Sequence, residues 1–165
     1  MNDQSLPRFD AFLLLIGKLN YAWTNTESLL IHIIAGLSGM DKEAATVVFL
    51  TLNTTRARID LVERLSKLER AKPKERGEVL TLTARMQKQS SLRNRYNHCI
   101  YAFDAEGANP RSIFMRISDR KDKLMMGQSN ALDWAAVKDI ESAISELSLI
   151  NADIWNLIAR FDYPK

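Results

Sequence analysis

The sequence predicts an all-α fold, an up-and-down four-helix bundle. Three observations predict it. Apolar residues recur at helical spacing through most of the 165 residues. Prolines, glycines and capping side chains cut these stripes into four segments. The connections are short, apart from one turn-rich excursion at about residues 104–132, and long helices joined by short connections form bundles.

The first helix is expected over about residues 7–37. Pro7 suits its first turn, because a helix start leaves that N–H unbonded anyway. Phe9, Phe12, Leu13, Ile16, Leu19, Trp23, Leu30, Ile34 and Leu37 make its stripe, and Gly36 and Gly39 mark its end. Asp41 caps the second helix, whose stripe is Val48, Phe49, Leu52, Ile59, Val62 and Leu65. Pro73 restarts the pattern in a third helix carrying Val79, Leu82, Met86, Tyr96, Ile100 and Phe103. That helix should stop near Asp104, before Glu106-Gly107-Ala108-Asn109-Pro110. The runs from Ile113 to Ile117 and from Lys123 to Met126 flank the tetrad Asp119-Arg120-Lys121-Asp122, which fits a short hairpin or an irregular loop. Ser129, Asn130 or Asp133 opens the last helix, with Val137, Ile140, Ile144, Leu147, Ile154, Leu157 and Phe161 as its stripe and Pro164 beyond it. No repeat or linker interrupts the chain, so residues 1–165 are expected to form a single helical domain.

Composition narrows the function classes. The 23 basic and 20 acidic side chains give a net charge of +3, which permits a polyanionic partner without requiring one. Cys99 is the single cysteine, so an intramolecular disulfide and a cysteine-built zinc site are excluded and a cytoplasmic location is expected. The first eight residues lack the basic-then-apolar order of a signal peptide. The apolar run from Ala11 to Ile16 is far shorter than the roughly 20 residues a bilayer span needs, so no membrane partner is expected. There is no phosphate-binding glycine loop, zinc helix or Gly-x-Ser-x-Gly elbow, so neither cofactor nor metal is expected.

Charged residues interrupt three stripes. Glu27 sits between Trp23 and Leu30, Arg56 between Leu52 and Ile59, and Arg93 between Met86 and Ile100. Burying a charge costs several kcal/mol unless it is paired. Two arrangements fit: a polar layer in which Glu27 meets Arg56, Arg93 or both, or positions at the stripe's edge whose long side chains reach solvent.

Arg93-Asn94-Arg95-Tyr96-Asn97-His98 carries the most chemistry. Histidine can take and give a proton near neutral pH, and arginine forks onto phosphate oxygens. Together they are the minimum equipment for cutting RNA without a metal. On a helix, Asn94 and His98 stack on one face and Arg93 and Asn97 on a neighbouring one. Arg93 and His98 would lie about 140° apart around a continuous helix. They can share a ligand only if the long arginine wraps back, or if a twofold-related helix completes the cleft, a geometry that argues for a site at a dimer interface.

On these six residues the sequence resembles the HEPN superfamily (higher eukaryotes and prokaryotes nucleotide-binding domains). Its signature is Arg, often followed by Asn, Asp or His, then His after four to six residues, on a long late helix. The resemblance implies a small helical, usually dimeric protein, and in many members a metal-independent RNase. It implies that His98 moves a proton at the ribose 2′-OH or the leaving 5′ oxygen, that Arg93 holds the scissile phosphate, and that Asn94 orients one of them. Asn97, Arg56 and Glu27 are auxiliary candidates. The implied partners are RNA or a nucleotide, a second copy of the chain and, in a toxin or phage-defence setting, an antitoxin. A catalytically inactive nucleotide- or RNA-binding protein and a purely structural helical dimerisation module remain alternatives.

Overall fold

The computed structural model describes residues 9–106 and 109–165. Pro7 and the Gly107-Ala108 step lie outside the described residues. Among the described residues the order is α1 (Phe9–Ser28), α2 (Leu30–Ser38), α3 (Lys42–Thr51), α4 (Thr55–Leu65), α5 (Pro73–Asn97), β1 (Cys99–Ala102), β2 (Arg111–Arg120), β3 (Lys123–Ala131) and α6 (Trp134–Arg160). The protein is mostly helical. The all-α expectation is corrected by an antiparallel three-stranded sheet in the order β1-β2-β3, and the four expected helices are six.

Local chemistry accounts for the extra boundaries. At Leu29 the first helix tightens by one turn, with the Leu29 N–H bonded to the Thr26 carbonyl at 3.2 Å, so α1 and α2 are two pieces of one predicted helix. Between α3 and α4, Leu52 is extended and Thr54 caps afresh, its hydroxyl accepting from the Ala57 N–H. Asp41 and Asp133 cap α3 and α6 in the same way. Gly39 ends α2 in the left-handed conformation, φ 75°. The third predicted helix stops at Asn97 instead of Asp104, because residues 99–102 pair with β2.

The excursion is a long hairpin with a two-residue turn, Lys121-Asp122, between the paired Arg120 and Lys123. Its register slips between Phe114 and Ile117. There Met115 and Arg116 face the single residue Gly127, whose φ of 62° suits glycine.

The chain divides into two compact units. The first comprises the described part of Met1–Asn20 with Ser91–Ile144, and holds the sheet. Its buried residues include Phe12, Leu19, Tyr96, Leu132, Val137 and Ile140. The second, Tyr21–Ser90 with Ser145–Lys165, is helical and packs Trp23, Leu30, Ile34, Ile59, Met86, Leu147 and Ile154 into its core. No helix among the described residues is long and apolar enough to cross a membrane.

The C-terminus is fastened to the second unit. The Tyr163 ring lies so close to Gly36 that a Cβ there would collide with it. Its hydroxyl donates to Glu75, whose other oxygen accepts from the Lys72 N–H at the start of α5. His32 Nδ1 lies 2.6 Å from the Pro164 carbonyl oxygen, so this buried histidine is structural.

Burial first, and the Glu75 carboxylate second, push the Tyr163 hydroxyl pKa above its ordinary 10.0. Above that pH the unfolded chain releases the proton and the folded chain keeps it, so stability is full below pH 10.0 and falls as pH rises. We expect the unfolding free energy from urea titrations to drop between about pH 9 and pH 11, by roughly 1 kcal/mol from this group. Tyr163→Phe should show a smaller drop over the same interval; an equal drop would assign the effect elsewhere.

Candidate functional site

The last turn of α5 is held by aromatic packing in the first unit. Tyr96 is buried, with its ring edge-on to Phe12 at 5.7 Å. Tyr101 on β1 meets Phe9 and Phe12 edge-on at 5.3 and 6.3 Å. Burial pushes both tyrosine hydroxyls up. These two rings therefore pack internally. Cys99 Sγ donates to the Tyr96 carbonyl at 3.2 Å, so the thiol also serves packing.

His98 stands where helix becomes strand. Its N–H makes the closing helical bond to the Asn94 carbonyl at 3.1 Å, and its carbonyl accepts from the Met115 N–H at 2.9 Å. The backbone is thus fixed to α5 on one side and β2 on the other, while the side chain is exposed. Because α5 ends at Asn97, the 140° separation derived for a continuous helix does not set the direction of His98.

Arg93 is half-buried in a group of amides. Its Nε donates to Asn20 Oδ1 and its Nη1 to Asn94 Oδ1, both at 3.2 Å. Asn20 and Asn97 form a side-chain pair, with contacts of 2.8 and 2.9 Å. With its amide turned so that the oxygen faces the guanidinium, Asn97 accepts from Arg93 Nε at 2.8 Å. Asn20 is itself tied to its helix by a 3.1 Å bond to the Ile16 carbonyl. No described carboxylate pairs with Arg93. The guanidinium is positioned by neutral groups, and its charge is left for something else.

Arg93, Asn94, Asn97 and His98 therefore lie within one turn of helix and its exit. Asn20 belongs with them and is absent from the sequence-based candidates. The remaining candidates, Glu27 and Arg56, belong to the second unit. Glu27, which one of the two arrangements placed against Arg56 or Arg93, pairs with Arg58 Nη1 at 3.0 Å and accepts from the Thr55 hydroxyl at 2.6 Å. Arg58 Nε also serves the Phe49 and Leu52 carbonyls, and its guanidinium lies 4.1 Å from the Phe49 ring centroid. Arg56 is exposed and pairs with Asp60 one turn on, at 3.3 Å. The break after Leu52 resets the helical phase, so a stripe counted across it selected the wrong arginine. Among the described residues no three of His, Cys, Asp and Glu gather as a metal ion would need.

Glu27 and Arg58 form a structural hub with little exposure, 10% and 18% of their side chains. Arg58→Met should destabilise the protein by about 2–3 kcal/mol, because it strands a carboxylate away from water. Arg56→Ala should change stability by less than about 0.5 kcal/mol. Urea denaturation of both variants checks the contrast, and equal losses would refute it. Comparison with protein-family models, curated proteins and solved structures finds no match for this chain, so what the site does must be read from its own residues.

Proposed function

We propose that this chain is a metal-independent endoribonuclease of the HEPN type. One observation carries the proposal: Arg93, uncompensated by any described carboxylate and oriented by Asn20, Asn94 and Asn97, lies within five residues of an exposed histidine with a fixed backbone. A fixed cation beside a proton carrier suits a phosphodiester. His98 takes the proton of a ribose 2′-OH, or delivers one to the leaving 5′ oxygen. The 2′ oxygen attacks phosphorus, the bond to the 5′ oxygen breaks, and the products are a 2′,3′-cyclic phosphate and a 5′-OH. Arg93 binds a non-bridging oxygen and the charge that grows on it.

Cleavage in this manner uses a base and an acid. One chain offers one histidine at the site, and a homodimer would bring two to a shared cleft. In a cell, unrestrained cleavage would make the protein a toxin in the cytoplasm, to be held in check by an antitoxin.

Purified protein should cut single-stranded RNA in EDTA and leave cyclic phosphate ends. His98→Ala should lower the rate by at least about 100-fold and relieve toxicity on expression, with the melting temperature nearly unchanged. Asn20→Ala should cost about 10-fold by loosening Arg93. If wild type and His98→Ala are equally harmless and neither cuts RNA, the proposal fails. A nucleotide retained through purification without any cleavage would favour the binding-protein alternative.

A further inference from the structure

The chain's entire excess of positive charge lies in one element. Residues 111–126 carry five cations, Arg111, Arg116, Arg120, Lys121 and Lys123, against Asp119 and Asp122, a net of +3. The whole chain is also +3, so its other 18 basic and 18 acidic side chains cancel. All five cations are exposed, and no described ion pair holds any of them. The distal hairpin also presents an apolar face. Ile117 pairs with Met126 and Asp119 with Leu124, so Ile117, Met126 and Leu124 point the same way. They are 61%, 68% and 55% exposed. Asp119 shares that face, and Arg120 and Lys123, paired with each other, point to the opposite one. A hairpin end with uncovered apolar side chains on one face and uncompensated cations on the other and at the turn marks a surface with a partner.

We propose that the β2–β3 hairpin holds a single-stranded RNA that runs through the candidate site, its cations on phosphates. This rests on the ribonuclease reading for the identity of the strand. Charge complementarity selects a polyanion. Connectivity selects the strand being cut over a membrane surface or a second copy. β2 is bonded to the His98 carbonyl through the Met115 N–H, so the cations extend along the strand that leaves the candidate site. From Met115 to the turn is roughly 15 Å, so a strand must extend beyond the nucleotides at His98 to reach the tip. Phosphate contacts of this kind give affinity without sequence preference and weaken as salt rises.

The test measures binding of a labelled single-stranded RNA of about 20 nucleotides, in EDTA, by the full chain carrying His98→Ala so that the probe stays intact. Adding Arg120→Gln, Lys121→Gln and Lys123→Gln should weaken binding roughly 100-fold at about 0.1 M salt and lower the salt slope by about 2. Adding Asp119→Asn and Asp122→Asn instead should tighten it several-fold, a gain that a misfolded protein could not show. With His98 intact, the glutamine variant should cleave a dinucleotide at the wild-type rate. Unchanged RNA binding in the glutamine variant overturns the proposal. So does a hairpin that proves to hold phosphatidylserine vesicles, or a second copy by sedimentation, while RNA binding ignores it. Hairpin-dependent binding with no cleavage of any RNA would sink the ribonuclease reading and leave this one standing. Dinucleotide cleavage with hairpin-independent binding would do the reverse.

Discussion

The clamp of amides around Arg93 is the constraint on which the candidate site depends. An arginine can be fixed in two ways. A carboxylate fixes it strongly and neutralises it. Amide oxygens fix it less strongly and leave its charge intact. Arg93 is held in the second way, through Asn20, Asn94 and Asn97. The cost of keeping a bare charge half-buried is met by several neutral hydrogen bonds in place of one ion pair. An anion arriving there meets a cation that has no carboxylate to give up.

Three other arginines show the contrast. Arg85 bridges Glu146 and Asp153 at 2.7 and 2.6 Å, and those hydrogen bonds push its pKa still higher. Arg160 meets Glu78, and Arg58 meets Glu27. These pairs lie in the second unit, where they tie helix to helix. In the first unit the Arg93 guanidinium and the hairpin cations lack such partners among the described residues.

Much of the helical framework was legible because its signals are local. Asp41, Pro73, Gly39 and Asp133 mark the boundaries they were expected to mark or to share. Of the two readings the tetrad Asp119-Arg120-Lys121-Asp122 left open, a short hairpin or an irregular loop, the structure has the hairpin. What the sequence hid depends on partners far along the chain. Residues 99–102 continue an apolar stripe that looks helical, and pairing with residues 111–114 makes them a strand. Asn20 sits quietly beside Leu19 on an apolar helix, and its partners lie 73 and 77 residues away. Leu52-Asn53-Thr54 carried a capping signal, which a stripe running on either side of it masked.

The early end of α5 has a consequence for the chemistry. Had the helix continued, His98 would sit inside a regular turn and share its rigidity with Arg93 alone. Because β1 begins at Cys99, the residue between helix and sheet is tied by its N–H to Asn94 and by its carbonyl to Met115. A histidine at such a junction has a fixed root and a free ring, which suits a group that must exchange protons with whatever lies in front of it. The same junction sets the hairpin on its course from the site. The departure from the all-α expectation therefore joins His98 to the surface that carries the chain's uncancelled charge, and both belong to one compact unit.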